Sequence, residues 1–131
     1  MAASLLDVQR VSKAFPSRGG FLRRSGPSVT AVADVSFSMR DGETLGLVGE
    51  SGCGKSTLAK LLVGLLTPTG GQVRIRGQRL ASLRADALRS ARRSVQLIFQ
   101  DPTNSLNPRM TVEEIVSEPL VIHRLVPPSQ R

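Results

Sequence analysis

The residues best equipped for chemistry are eight in a row. Gly49-Glu50-Ser51-Gly52-Cys53-Gly54-Lys55-Ser56 satisfies G-x-x-x-x-G-K-[ST] at every fixed position. Phosphate oxygens concentrate negative charge, so a site for them needs several backbone N–H groups turned into one concave loop. Glycines at 49, 52 and 54 permit the backbone angles and the close approach that side chains would obstruct. Lys55 places a point charge within reach of the β- and γ-phosphates, where it stabilises charge during transfer, and the Ser56 hydroxyl can complete the shell of a Mg²⁺ ion. A helix starting at Lys55 adds the partial positive charge of its N-terminus. Gly49 to Thr57 is therefore a candidate nucleotide-binding stretch. Within it Cys53 has two readings: a thiol made reactive by the helix N-terminus and Lys55, or a small residue that fits the loop.

The confirming context of such a loop is a buried strand before it and a helix after it, and the flanking sequence carries both patterns. Thr44-Leu45-Gly46-Leu47-Val48 does not alternate and reads as a fully buried parallel strand. Lys55 to Leu66 carries Leu58, Leu61, Leu62, Leu65 and Leu66 at helical spacing, which predicts a helix buried on nearly all faces and stopped by Thr67-Pro68-Thr69-Gly70-Gly71. Upstream, Leu5 to Phe15 reads as a strand, and Val35, Phe37 and Met39 alternate with Ser36 and Ser38 as in a half-buried one. Residues 16–28 are rich in Gly, Pro and Arg and read as an inserted loop, and Asp41-Gly42 as a hairpin turn. Downstream, Gln72 to Arg76 predicts a short strand, Ala85 to Arg93 a basic helix and Ser94 to Phe99 a second buried strand. Thr111-Val112-Glu113-Glu114 has capping-box spacing, so a helix starts near Val112. Strand, loop, helix, strand is an α/β order.

Composition narrows the class. The chain has 131 residues, 40% of them hydrophobic, which excludes a disordered chain; its single cysteine excludes a disulfide scaffold. No apolar run approaches the ~18 residues of a membrane span, and Asp7 arrives too soon for a signal peptide, so a cytoplasmic chain is expected. The formal net charge is +8. Residues 72–100 hold seven arginines against Asp86, whereas 41–71 holds Lys55 and Lys60 against Asp41, Glu43 and Glu50. The surplus thus lies off the phosphate loop. With four Phe and no Trp or Tyr, stacking platforms for single-stranded nucleic acid are scarce, and nucleic acid is not the expected partner.

A phosphate loop alone fits kinases, GTPases, helicases and transporter motors. The string from Val35 to Leu58, with Gln96-Leu97-Ile98-Phe99-Gln100-Asp101-Pro102 and Ser105-Leu106-Asn107-Pro108-Arg109-Met110-Thr111-Val112, closely resembles ATP-binding subunits of ABC transporters, the later string their dipeptide/oligopeptide importer branch. The resemblance runs from Leu5 to about His123. It implies a P-loop NTPase with N-terminal antiparallel strands and an incomplete parallel core sheet, binding ATP and Mg²⁺. It makes Gly49 to Ser56 the Walker A motif and Gln100 the Q-loop glutamine, which joins Ser56 on Mg²⁺ and senses the transmembrane partner. It sets Phe15 where an aromatic stacks on adenine; ordinary core is the other reading of Phe15. Segment Asp101 to Thr111 would lie against membrane subunits.

The implied assembly is an importer at the cytoplasmic face of the membrane: transmembrane permease subunits, a second ATP-binding subunit and, indirectly, an extracytoplasmic substrate-binding protein. Its cargo is peptides or related small solutes. The resemblance is partial. Among the 31 residues after Gln100 there is no Leu-Ser-Gly-Gly-Gln signature and no strand ending in Asp-Glu, and His123 comes too early for the family's switch histidine and reads as a surface or helix-end residue. Residues 1–131 are therefore expected to be the N-terminal part of a nucleotide-binding domain, lacking the signature, Walker B and general-base residues, with weak nucleotide binding and no turnover alone. The rival reading is a non-transport ABC-type ATPase acting on nucleic acid or ribosomes, which the charge would suit.

Overall fold

The computed structural model describes residues 4–16, 28–100 and 106–127. In chain order these form β1 (Leu6–Pro16), β2 (Ser28–Met39), α1 (Lys55–Leu62), β3 (Gly70–Ile75), β4 (Gln78–Arg79), a short 3₁₀ turn (Leu80–Ser82), α2 (Ala85–Arg92) and α3 (Val112–Ile122). The four strands make one antiparallel sheet in the order β2-β1-β3-β4. Strand β1 is central: Val8 lies opposite Phe37 on one side and Val73 on the other. Its buried Val8 and Val11 join Val32, Val73 and Ile75 beneath Leu58 and Leu61 of α1 and Leu80. The period of two expected of β2 is present, with Val35, Phe37 and Met39 half-buried and Ser36 and Ser38 exposed. The 16–28 insertion lies outside the described residues except at its ends, Pro16 and Ser28, which pair across β1 and β2.

The sheet is not regular. Arg10 has φ 49° and Asp34 φ 48°, where both flanking ladders lose register. The Ser36 hydroxyl accepts from the Arg10 amide (2.8 Å) and the Ser12 hydroxyl from the Asp34 amide (2.9 Å), so two serines take up donors that the bulge withdraws from the ladder. On the other side of β1, Gly71 has φ 73° and leaves no room for a Cβ, which would collide with the Gln9 and Arg10 carbonyls. Gly70 and Gly71, expected to end a helix, instead begin β3.

Four further expectations are corrected. Residues 44–48 form no strand: Leu45, Leu47 and Val48 are 48%, 53% and 94% exposed. Residues 94–99 form none either; Val95 and Leu97 are half-buried, but Ile98 and Phe99 are exposed. A parallel strand is held by ladders to flanking strands, and none of the described strands pairs with either segment. The Asp41-Gly42 turn does form, with the Glu43 amide donating to the Arg40 carbonyl, yet it leads into irregular chain and not into a hairpin. The class is α/β as expected, but its parallel layer is not formed among the described residues.

The fourth correction concerns α1. It ends at Leu62, short of Leu66, because Gly64 turns left-handed (φ 69°) and the Leu65 and Leu66 amides both fold back to the Lys60 carbonyl. Only Leu58 and Leu61, one turn apart, are buried in it; Leu65 is half exposed. Helix α2 has no buried residue and carries Arg89 and Arg92 in its last turn, where the helix dipole favours cations. Helix α3 opens with the capping box in full: the Thr111 hydroxyl accepts from the Glu114 amide (3.2 Å) and the Glu114 carboxylate from the Thr111 amide (2.7 Å). His123 closes α3, as expected of a helix-end residue. Among the described residues no helix is long and apolar enough to cross a membrane.

Candidate phosphate-binding site

The loop is shaped by three glycines, each for a different reason. Gly54, the N-cap of α1, has φ 99°, and a Cβ there would stand 2.1 Å from the Ala31 carbonyl oxygen, so only glycine lets the loop rest on β2. At Gly49 a Cβ would meet the Cys53 sulfur at 2.6 Å. Gly52 has φ 81° and open space around it, so its demand is purely conformational. The Cys53 amide donates to the Glu50 carbonyl (3.3 Å) and closes the turn; the Leu58 amide donates to the Gly54 carbonyl (2.8 Å) and starts the helix.

The electrostatics favour an anion. The first amides of a helix have no acceptor within it. Gly54 offers no side-chain cap, and the first turn of α1 holds no acid. Lys55 folds back over the loop: its Nζ donates to the Gly49 and Glu50 carbonyls, both at 2.6 Å, and lies 3.6 Å from the Cys53 sulfur. An ammonium has three donors on a flexible stem, so it can exchange these carbonyls for phosphate oxygens with little movement. Beside the loop is an open hollow of about 380 Å³, walled by Thr30 to Ala33 of β2, Leu47 and Val48, and floored by Gly54, Lys55 and Leu58. That volume suits a nucleotide-sized ligand.

The residues present fit a magnesium-bound phosphate. Among the described residues no three His, Cys, Asp or Glu side chains gather as a metal site. A divalent ion here would take the exposed Ser56 hydroxyl, phosphate oxygens and water, the sparse protein coordination that Mg²⁺ accepts.

The structure thus gathers Gly49, Glu50, Ser51, Gly52, Cys53, Gly54, Lys55, Ser56 and Thr57 into one loop and helix turn. The other two candidates stand apart. Gln100 is exposed at the end of the 95–99 segment and does not line the hollow. Phe15 lies near the end of β1, 38% exposed and paired with Val29, with the Lys13 ammonium 5.3 Å from its ring centre. Asp101 to Ser105 are outside the described residues, while Leu106 to Thr111 form an exposed turn closed by an Asn107 carbonyl that accepts from Met110. Sequence reasoning missed the β2 wall. Its small residues Thr30, Ala31 and Ala33 are what allow the loop to lie so close.

Cys53 is exposed. Maleimide is expected to label it, and Mg-ATP to slow labelling at least about fivefold by covering the loop, read by intact mass. Equal rates with and without nucleotide would contradict the placement of phosphate over residues 49–54.

Comparison with known proteins agrees with this geometry. The family profile described as ABC transporter matches residues 32–129. A "Probable peptide ABC transporter ATP-binding protein" of Sinorhizobium fredii is 50% identical over 120 residues, covering 92% of this chain and 34% of the relative. The oligopeptide transport ATP-binding protein AppF of Bacillus subtilis is 46% identical over 123 residues, covering 93% of this chain and 37% of its own length. A glutathione import ATP-binding protein of Escherichia coli is 46% identical over 123 residues, 94% of this chain and 20% of that protein. The chain therefore spans about a third of the length of the first two and a fifth of the last. Among solved structures, a dimeric bacterial ABC transporter cassette superposes with a TM-score of 0.72 at 28% identity, over 90% of this chain and 47% of that one; a post-hydrolysis form of that cassette bound to ADP and Pi gives the same values. With the profile matched over residues 32–129, a phosphate loop that opens α1 and this fold, the chain belongs to the ABC transporter family.

Proposed function

We propose that this chain is the phosphate-binding portion of an ATP-binding subunit that couples ATP binding and hydrolysis to import of peptides or related small solutes. The observation that carries the reading is the loop itself: three glycines that hold it open against β2, a helix start free of acids, and Lys55 lying across it. In this reading the 49–54 backbone donates to phosphate oxygens, Lys55 moves from its two carbonyls onto the terminal phosphates, and Ser56 would hold a Mg²⁺ ion, whose charge would offset that of the phosphoryl group; Gln100, apart from the loop in this structure, would have to approach it to join Ser56 there. Phe15 offers its ring to the adenine. Among the described residues no carboxylate or imidazole lines the hollow, so this reading gives residues 49–57 nucleotide binding and assigns them no general base.

The partners in this reading are permease subunits, a second ATP-binding subunit and, at one remove, a substrate-binding protein, with the chain peripheral at the cytoplasmic face of the membrane. Peptide cargo rests on the likeness to peptide, oligopeptide and glutathione import proteins. Uptake of labelled oligopeptides by cells carrying Lys55→Ala in the chromosomal gene tests it: loss of uptake is expected, and unchanged uptake of every peptide would overturn the cargo.

One observation favours a second reading, an ABC-type ATPase acting on nucleic acid or ribosomes. All seven arginines from Arg74 to Arg93 are exposed. Binding of RNA and duplex DNA across a salt series separates the two. The transport reading expects only weak, sequence-independent binding that fades by physiological salt.

A further inference from the structure

The strand that carries Phe15 is fastened from one side by the turn that leaves α1. The Thr69 amide and hydroxyl both donate to the Ser12 carbonyl (2.8 and 3.0 Å), and the Ala14 amide donates to the Thr69 hydroxyl (3.1 Å). Between these anchors the Lys13 ammonium donates to the Thr67 carbonyl (2.7 Å) and sits over the Phe15 ring, 5.3 Å from its centre. One face of the ring is therefore taken by a tethered cation. Phe15 still exposes 38% of its surface.

The position of that ring matters because of where β2 runs. Phe15 pairs with Val29, and two residues on, the Ala31 carbonyl lies against Gly54 of the phosphate loop. With a rise of ~3.3 Å per residue and ~4.8 Å between strands, the backbone of Phe15 stands about 8 Å from Ala31, where β2 meets the loop, a separation that an extended nucleotide can bridge. A base bound at Phe15 and phosphates bound at Lys55 would belong to one nucleotide.

We propose that Lys13 is a positioning residue for the base: its ammonium fixes one face of Phe15 and leaves the opposite face to a purine. This rests on the reading of Phe15 as the base platform. A cation on one face draws electron density from the ring and favours an electron-rich purine on the other, while the Thr67 tether holds both in place. Lys13 touches neither phosphate nor metal in this arrangement, so its effect is confined to the nucleoside part.

The test measures the Kd of Mg-ATP and of magnesium tripolyphosphate by displacement of a fluorescent nucleotide from the 131-residue chain. Lys13→Met, which keeps the stem and removes the charge, is expected to weaken ATP about two- to fivefold and leave tripolyphosphate unchanged. Lys13→Arg, which restores a cation over the ring, should recover ATP affinity. Phe15→Ala should weaken ATP more than Lys13→Met, again without effect on tripolyphosphate. Equal weakening of both probes by Lys13→Met would mark a merely structural role and overturn the proposal, as would unchanged ATP affinity in Lys13→Met beside a loss in Phe15→Ala. Unchanged ATP affinity in Phe15→Ala would instead remove the platform reading, and the proposal with it. Binding of neither probe by the unaltered chain would remove the phosphate-site reading and both that stand on it.

Discussion

Lys55→Ala is expected to lower the affinity of the chain for Mg-ATP about a hundredfold or more while shifting its melting temperature by no more than ~2 °C. The binding loss follows from the charges. A hydrogen bond to an ionised partner contributes about 1.5–3 kcal/mol, and an ammonium shared between two phosphates makes at least two, so the total of ~3 kcal/mol or more converts to about two orders of magnitude. The small change in stability follows from the geometry without ligand. The two carbonyls that Lys55 engages, on Gly49 and Glu50, belong to exposed residues and can turn to water when the ammonium is removed. Lys55→Arg should not restore binding, because a planar fork is larger than the point charge the loop encloses. Titration calorimetry beside a thermal melt checks both halves. Retention of affinity within threefold would refute the role given to Lys55.

Gly71→Ala is expected to be the most destabilising single-methyl change in the sheet, about 3 kcal/mol or more, with melting lowered by roughly 10 °C or more. Two causes add. At φ 73° any side chain is strained, and a Cβ would lie 2.2 Å from the Arg10 carbonyl oxygen and 2.3 Å from that of Gln9. Those atoms are backbone of the central strand, between Val8 and Val11, two of the most buried side chains. Making room for the methyl group therefore moves β1 off β3 and opens the core beneath α1. Gly42→Ala is the control: φ is 75°, but nothing lies within 4 Å, so only the conformational cost of about 1 kcal/mol applies. Urea midpoints of the two variants should differ accordingly. Equal effects would mean that the β1–β3 contact is not as close as described.

What could be read from the sequence was local. The phosphate loop is set by residues 49–56 and their immediate neighbours, the capping box by Thr111 and Glu114, and the alternation of Val35, Phe37 and Met39 by one strand against one core. Each depends on contacts within a few residues or on a single buried face. The segments 44–48 and 94–99 failed because a run of apolar residues states which surroundings it suits without supplying them; burial of Leu47 or Ile98 requires partner strands that pair with neither here. Gly71 was misread because helix-ending glycines and bulge-facing glycines look alike until the opposing strand is known. Within the site, Gly49 to Thr57 were legible as a unit. The β2 wall was not, since Thr30 to Ala33 contribute closeness rather than a functional group.

The two unpaired stretches also govern how the chain behaves among copies of itself. Thr44-Leu45-Gly46-Leu47-Val48 and Val95-Gln96-Leu97-Ile98-Phe99 contain neither charge nor proline, and neither is paired with a described strand, so each offers amides and carbonyls to any passing strand. What keeps such ribbons apart in dilute buffer is mutual repulsion, and the formal charge of +8 supplies it. Salt at ~0.15 M shortens the reach of that repulsion to about 8 Å. The arginines of residues 74–93 thus act as a colloidal guard for both stretches, one directly after them in sequence and one well before, and the chain stays dispersed most readily at low ionic strength.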